Sequence, residues 1–383
     1  MMRKPIITSI ALVLGCSIIA FGLFRQQSNK PKPLPKVYSA EIHKYRPIQK
    51  TIRVITQQVT VGAIGDVLIH SPVYQDAFNG SQYDFDQMFS SVKPLLEKTD
   101  ILTANQESTL GGVELGLSGY PTFNSPHEVA DALVHTGVDI VSTANNHSLD
   151  KGEKGIRSET AYLESIGLPH VGSFQNEQDQ QRLRVIEKNG IKLAFLSYTY
   201  GTNGIPVPEG KDYLVNLIDR DKMKEEIQRA KAAADVVIMS IHWGKEYQRF
   251  PTEDQKDLAA FLANEGVDIL FGSHPHVLQP MDWIETTDGR KMFVIYSLGN
   301  FISAQHGDYK DIGGLASVEI TKRVSEQGSK IELSNPAFYP TYVTSQKHRN
   351  FRVVPLEQAG SAGLKNAEAK YREIQQHMSQ WLK

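Results

Sequence analysis

Beyond about residue 50 the sequence predicts an α/β fold with mixed β-sheets. Short β-branched apolar runs alternate with stretches of helical apolar spacing, a hairpin signal and two late strands supply antiparallel pairs, and polar side chains collect where the apolar runs end. The 383 residues, 40% hydrophobic and 22% charged, suffice for one large domain or two modest ones. A formal net charge of -2 and scattered tryptophans (Trp243, Trp283 and Trp381) give no basic or stacking surface for nucleic acid.

Residues 1–5, with Arg3 and Lys4, are expected to form a short cytoplasmic head. The uncharged apolar run 6–24, closed by Arg25, follows. At about 1.5 Å per residue it is just long enough to cross a hydrocarbon core of about 30 Å, so it reads as a transmembrane helix or uncleaved signal. Cys16, the single cysteine, lies in Val13-Leu14-Gly15-Cys16, a loose lipoprotein box. Apolar sequence continues from Ser17 to Phe21, where a lipidated cysteine would open a polar tether, and a spanning helix is the better reading. Arg25, Lys30, Lys32 and Lys36 outnumber Arg3 and Lys4, which by itself favours a cytoplasmic C-terminal side. The basic head of an export signal and a remainder free of cysteine favour the opposite. A single-pass protein of the cell membrane with an extracellular globular domain is therefore expected. In 25–50, Pro31, Pro33, Pro35 and Pro47 alternate with lysines and polar residues, giving a semi-extended linker.

The globular domain is expected over 51–345, followed by a C-terminal extension, 346–383, with an amphipathic helix from Ala367 to Leu382. Its first strand, Val59 to Ile64, runs into Gly65-Asp66-Val67-Leu68-Ile69-His70. Asp66 then sits where an α/β sheet opens a crevice, although Gly-Asp is also a common turn, and His70 is a second candidate ligand. Phe85 to Lys98 has helical spacing, and the strand beginning at Ile101 leaves Asn105 and Glu107 at its exit on one face. Pro126 opens a helix that runs to His135. Val138 to Ser142 is a third strand, emptying into Thr143-Ala144-Asn145-Asn146-His147. An Asn carbonyl is a hard oxygen ligand, and His147 beside it can exchange a proton near neutral pH. Ser148 or Asp150 can equally cap the helix expected from Glu153 to Ile166.

Arg182 to Glu187 and Ile191 to Tyr198 pair through the hairpin signal Lys188-Asn189-Gly190. The loop Tyr200 to Gly204 is expected at the rim of a site. After a helix from Lys222 to Ala234, the strand Asp235 to Ser240 delivers His242 at its exit, with Glu246 nearby and open to metal, substrate or Lys245. A helix from Glu253 to Asn264 and the run Val267 to Leu270 lead to Phe271-Gly272-Ser273-His274-Pro275-His276. A residue before proline is pushed towards extended backbone, where i and i+2 share a side, so His274 and His276 are expected to face one point. Alone, the motif reads equally as an exposed loop. Met292 to Phe301 is a strand ending in a Gly-Asn turn, and Gly314 to Thr321 and Lys330 to Leu333 are late antiparallel strands.

No fixed-period repeat, phosphate loop, nucleophile elbow or dinucleotide fingerprint is present. One constellation remains. Asp66, His70, Glu107, Asn146, His242, His274 and His276 are candidate metal ligands, and His147 and Glu246 are catalytic candidates. Carboxylate, amide and imidazole without thiolate suit one or two divalent ions, Mn, Fe or Zn, and a pair can clamp both oxygens of an ester.

Gly65-Asp66, Asn105 with Glu107, Ala144-Asn145-Asn146-His147 with Asp150 and Gly152, His242-Trp243-Gly244 with Glu246-Tyr247, Gly272 with His274-Pro275-His276, and Ser297-Leu298-Gly299-Asn300-Phe301 occur in this order. Over roughly residues 58 to 305 the set resembles the CapA family of capsule synthesis, or poly-γ-glutamate biosynthesis, proteins. The resemblance implies a fold like that of calcineurin-type metallophosphoesterases, a four-layer sandwich of two packed mixed β-sheets flanked by helices with a metal centre at the strand ends. It further implies that Asn146, His242 and His274 hold one metal, that Asp66 and His276 hold the other, and that His147 is the acid assisting the leaving group. Two positions depart from the superfamily pattern. Leu68 stands where a histidine follows the first aspartate, His70 being the nearest, and Asn105 and Glu107 stand where a bridging aspartate is usual.

Three functions follow as expectations. The first is a membrane-anchored component of capsule or poly-γ-glutamate biosynthesis or export, acting on anionic polymer with synthesis and export proteins. The second is an independent metal-dependent phosphoesterase. The third is a non-catalytic polymer-binding or assembly module.

Overall fold

The computed structural model describes residues 54–382. The head, anchor and linker expected over 1–50 lie outside them. Among the described residues no helix is long and apolar enough to cross a membrane.

Strands β1 (Ile55–Val67), β2 (Ile101–Gln106), β3 (Ile140–Ser142) and β4 (His170–Val171) run parallel in one sheet. The second sheet contains β5 (Arg184–Lys188), β6 (Ile191–Thr199), β7 (Val236–His242), β8 (Ile269–Ser273), β9 (Leu278–Glu285) and β10 (Lys291–Leu298), in the order β5-β6-β7-β8-β10-β9. Its four central strands are parallel and both edges are antiparallel. The chain then returns to the first sheet. There β11 (Asn300–Ile302) pairs with β1, and β12 (Ile312–Ser325), β13 (Gly328–Thr344) and β14 (Arg352–Pro355) extend it as antiparallel neighbours. Both sheets are therefore mixed.

Alternation of side chains makes the layers. In β6, Ile191, Leu193 and Phe195 face the other sheet, while Ala194, Leu196 and Tyr198 face outwards. Val59 and Val61 of β1, Ile238 of β7, Phe271 of β8 and Phe293 of β10 meet the β6 residues in the core between the sheets. Each such burial stabilises by about 1.5–3 kcal/mol. Outside the first sheet lie α1 (Ser71–Ala77), α2 (Asp86–Phe89), α3 (Lys93–Leu96), α4 (Glu128–Thr136) and α5 (Gly152–Ser165), which bury Val73, Phe89, Leu96, Val129 and Leu163 against it. After the short α6 (Glu177–Gln181), the helices α7 (Arg220–Ala233) and α8 (Glu253–Glu265) cover the second sheet with Met223, Ile227, Leu258 and Leu262. The order is helices, sheet, sheet, helices.

Several local expectations need correction. The helix foreseen from Phe85 to Lys98 is two single turns, α2 and α3, because Pro94 lacks the amide that would continue the first and instead opens the second. Helix α5 has no side-chain cap; Ser148 and Asp150 turn to other partners. Strand β9 was hidden by Pro280, which is tolerated because β9 is an edge strand. The segment after residue 345 adds β14 to the sheet, and α9 (Ala367–Ser379) places Ile374 and Met378 in the core between the sheets.

Candidate metal centre

The site lies at the seam of the two sheets, where their parallel strands end. In β1 a register shift between Ile64 and Asp66 breaks strict alternation. Val59, Val61 and Ala63 face the inter-sheet core, yet Val67, of the same parity, faces the outer helices. The one-residue slip turns Asp66 towards the second sheet, the usual use of a bulge beside a site. Gly65 makes this approach passable, since a Cβ there would fall 1.9 Å from the Gly299 carbonyl oxygen. In β2, Ile101 faces inwards, so Asn105 and Glu107 at its exit do too, as period two predicts.

The His-Pro-His turn differs from expectation. His274 has φ 97° and His276 φ 57°, so neither is extended. The two rings still converge, with centroids 5.9 Å apart, through a strained turn instead of a strand. Tyr247 (φ 66°) and Asn203 (φ 50°) bring the same left-handed backbone to the site's edge. Gly272 lets the turn leave β8, because a Cβ there would meet the Tyr296 carbonyl oxygen at 2.1 Å.

Three groups of side chains each bring ligand atoms within 4.8 Å of one another: Glu107 with His242 and His274; Asp66 with Glu107 and His276; Glu246 with His274 and His276. Asn146 joins the first through its Oδ1, which accepts from His242 Nε2 at 2.7 Å. Asp66 binds Asn105 Nδ2 at 2.8 Å and His276 Nδ1 at 3.0 Å. Glu107 is common to the first two groups, with Oε1 3.5 Å from His242 Nε2 and 3.8 Å from His276 Nε2. Of the sequence candidates, only Glu246 is exposed, at the open side. His70 is in none of the three groups: its Nδ1 faces the Leu68 carbonyl at 3.1 Å and the Ala304 amide at 3.4 Å. Its ring stands edge-on to Phe123, whose other neighbour is His147.

Glu107 is fully buried and neither carboxylate oxygen has a hydrogen-bond partner. Burial, then repulsion from Asp66 and Glu246, pushes its carboxyl well above the ordinary range. His274 Nδ1 is likewise buried and unpartnered. Burial first, and then the neighbouring imidazoles, holds His242 well below its usual value and His274 down to about 3; His70 is lowered to about 4 by burial. Neutral imidazoles around an unpaired buried carboxylate are the donor set a divalent cation requires. The residues fit such an ion.

His147 is held apart from the three groups. Asp150 Oδ2 lies 2.7 Å from His147 Nδ1 and also accepts from the Phe123 amide at 2.6 Å. The Asp150 side chain is 1% exposed. This fixes the ring and leaves Nε2 for proton exchange. Asn145 serves as scaffold, accepting from the His147 amide at 2.9 Å and donating to the Gln106 carbonyl at 2.8 Å. Sequence reasoning missed Asp150 as partner of His147, having a helix cap ready as its explanation. The loop Tyr200 to Gly204, expected only at the rim, reaches the cluster itself: the Tyr200 ring centroid is 4.8 Å from that of His274, and Asn203 Oδ1 accepts from Asn146 Nδ2 at 3.1 Å.

Fold and site together define a two-sheet α/β protein whose strand ends converge on a buried cluster of imidazole, carboxylate and amide groups able to hold a cation. Residues 60–305 match the family described as bacterial capsule synthesis protein PGA_cap, and the chain belongs to that family. It is 28% identical over 261 residues to the capsule biosynthesis protein CapA of Bacillus anthracis, covering 65% of this chain and 61% of that one. To the PGA biosynthesis protein CapA of Bacillus subtilis (strain 168) it is 27% identical over 257 residues, covering 63% and 62% respectively. The chain thus spans a little over three-fifths of the length of these two relatives. Among solved structures, the NAD nucleotidase NadN of Haemophilus influenzae aligns with a TM-score of 0.46 and 12% identity, over 84% of this chain and 60% of that one. A hypothetical protein from Thermus thermophilus aligns with a TM-score of 0.44 and 17% identity, over 73% and 99%.

Proposed function

We propose that this chain is a membrane-anchored protein of capsule or poly-γ-glutamate biosynthesis whose globular unit, outside the cell, is a two-metal hydrolase acting on a phosphoester or on anionic polymer. The family supports the biosynthetic context. The apolar run 6–24 is the basis for the anchor. Polymer synthesis and export proteins are the partners this reading requires.

One observation carries the hydrolytic part: the buried Glu107 carboxylate, unpartnered at both oxygens, between two ligand groups. In this reading Asn146, His242, His274 and Glu107 hold one ion, and Asp66, His276 and Glu107 the other. That is the partition the resemblance implies, with Glu107 in place of the usual bridging aspartate. Mn, Fe or Zn suits the donors. When bound, the pair supplies Lewis-acid polarisation of an ester oxygen and a water of lowered pKa. The chain's own work is to position and to move protons. Asp150 holds Nδ1 of His147, so that Nε2 presents a proton to the departing oxygen. Phe123 packs against the His147 ring with centroids 4.6 Å apart and keeps it in that orientation. Glu246, at the open side, is placed to accept a proton from water entering the site.

Metal content and phosphoester turnover of the full-length protein test this. About two equivalents of Mn, Fe or Zn, reduced in His274→Ala, with turnover lost but metal retained in His147→Ala, is the expected outcome. Folded protein that takes up no divalent ion refutes the hydrolase and leaves a polymer-binding or assembly module. Turnover without any effect on polymer in the parent cell would make it an independent phosphoesterase.

A further inference from the structure

The loop after β11, residues 303–311, folds beside the open side of the metal centre and is fixed from two directions. From beneath, Asn300 Nδ2 donates to the Lys310 carbonyl at 2.8 Å and to Gln305 Oε1 at 3.0 Å. From outside, the Tyr309 ring lies between Arg249 (3.7 Å to the centroid) and Lys370 (4.3 Å), and its hydroxyl donates to Glu373 at 2.6 Å. Helix α9, which carries Lys370 and Glu373, follows the family-matched region and contributes here to the surroundings of the site.

This bracing sets Lys310 Nζ 5.2 Å from the centre of the Tyr247 ring, and that ring is 6.1 Å from the ring of His276. Tyr247 is itself held by its backbone amide, which donates to the Pro275 carbonyl at 2.8 Å. The carboxylate contact of Lys310 among the described residues, Asp308, is 3.8 Å away on a side chain 93% exposed, too long for a hydrogen bond and screened by water. An ammonium group with unused donors is thus mounted on an aromatic ring one side chain away from a metal ligand. A cation over a ring face is positioned without being neutralised, since the ring quadrupole attracts it but carries no net charge.

We infer that Lys310, seated on Tyr247, binds the anionic oxygens of a phosphoester substrate beside the metal centre. The inference rests on the hydrolytic reading of that centre. A charge-assisted hydrogen bond at a half-buried position corresponds to about a tenfold change in affinity.

The test is calorimetric titration of metal-loaded, full-length protein with inorganic phosphate at two ionic strengths, for wild type, Lys310→Ala and Lys310→Arg. Metal content is measured on each. The expected result is about tenfold weaker phosphate binding in Lys310→Ala with a flatter salt dependence, affinity within about threefold of wild type in Lys310→Arg, and unchanged metal content. Phosphate affinity in Lys310→Ala within twofold of wild type overturns the assignment and leaves the hydrolase standing. Loss of metal in Lys310→Ala, or equal weakening in both variants, overturns it by making Lys310 a packing residue. Metal-loaded wild type that neither binds phosphate nor turns over a phosphoester removes the hydrolytic reading, and this inference with it.

Discussion

Replacing Glu107 with Gln should reverse in sign according to whether metal is present. In the metal-free wild type the buried Glu107 carboxyl has two unpartnered oxygens, and leaving such a group unsatisfied costs about 1–3 kcal/mol. Glutamine keeps the volume, removes the charge and adds donors that face Asp66 and the imidazoles. The stripped variant should therefore be more stable by a similar amount, about 2–6 °C in Tm at roughly 2 °C per kcal/mol. Because burial raises the folded-state pKa of Glu107, a further penalty on wild type grows as pH rises above the ordinary carboxyl value of 4.5 towards the raised folded-state value, and it disappears as pH falls to 4.5, so the gap between the two proteins should narrow there. Adding Mn or Zn to a hundred times its dissociation constant stabilises wild type by about 2.7 kcal/mol, and the variant, lacking the shared ligand, far less. Thermal unfolding followed by circular dichroism, after chelation and again with excess ion, reads all of this. A stripped Glu107→Gln protein less stable than wild type, or equal metal responses in the two, would refute the reasoning.

His147→Ala should lower phosphoester turnover by about 10²–10⁴ with metal content intact, and Asp150→Asn should change the pH profile of kcat while leaving KM within about twofold; equal loss of metal in both would make the pair structural. The folded-state values of His170, His242 and His274 are depressed, mainly by burial, so stability of the stripped protein should fall as pH drops below their unfolded value of 6.5. His170 and His274, depressed to about 4 and about 3, each contribute about 2 kcal/mol of loss by pH 5, and urea midpoints that stay flat between pH 7 and 5 would contradict this. In Gly65→Ala the new methyl meets the Gly299 oxygen at 1.9 Å, so β1 and β11 must part and Asp66 with them. A loss of about 3 kcal/mol or more is expected together with weaker metal binding, and a fully stable, metal-replete variant would show that the seam can open at no cost.

Much of the architecture was legible because strand and helix periods are local. The alternation in β6 and β7 and the Asn189-Gly190 turn, with φ 51° and 77°, follow from residues a few positions apart. The candidate ligands were legible for a related reason. Polar side chains at the ends of apolar runs have few structural explanations, and Asp66, Glu107, Asn146, His242, His274 and His276 all proved to be neighbours. His70 shared that sequence context, but the chain turns after Leu68 and its Nδ1 is taken up by the backbone. Pro72, in the first turn of α1, marks where the strand gives way, with His70 at the helix N-cap. Asp150 was hidden in the opposite way, because a good local role as a cap concealed its nonlocal one.

What sequence spacing could not supply is the meeting of the two sheets. Asp66 and Glu107 leave the first sheet, His242, His274 and His276 the second, and each set is incomplete without the other. His274 and His276 reach across by a turn whose backbone neither residue favours, so the fold around it must offset strain of order 1–3 kcal/mol at each. Strain, an unpartnered carboxylate and closely packed neutral histidines are three separate costs concentrated at one end of the seam. Packing alone explains none of them, since apolar residues would close that end more cheaply. A shared ligand set for cations explains all three together. The turn aims the imidazoles, burial holds the values of His242 and His274 down, and the carboxyl that is left unsatisfied in Glu107 is the one a divalent ion would complement.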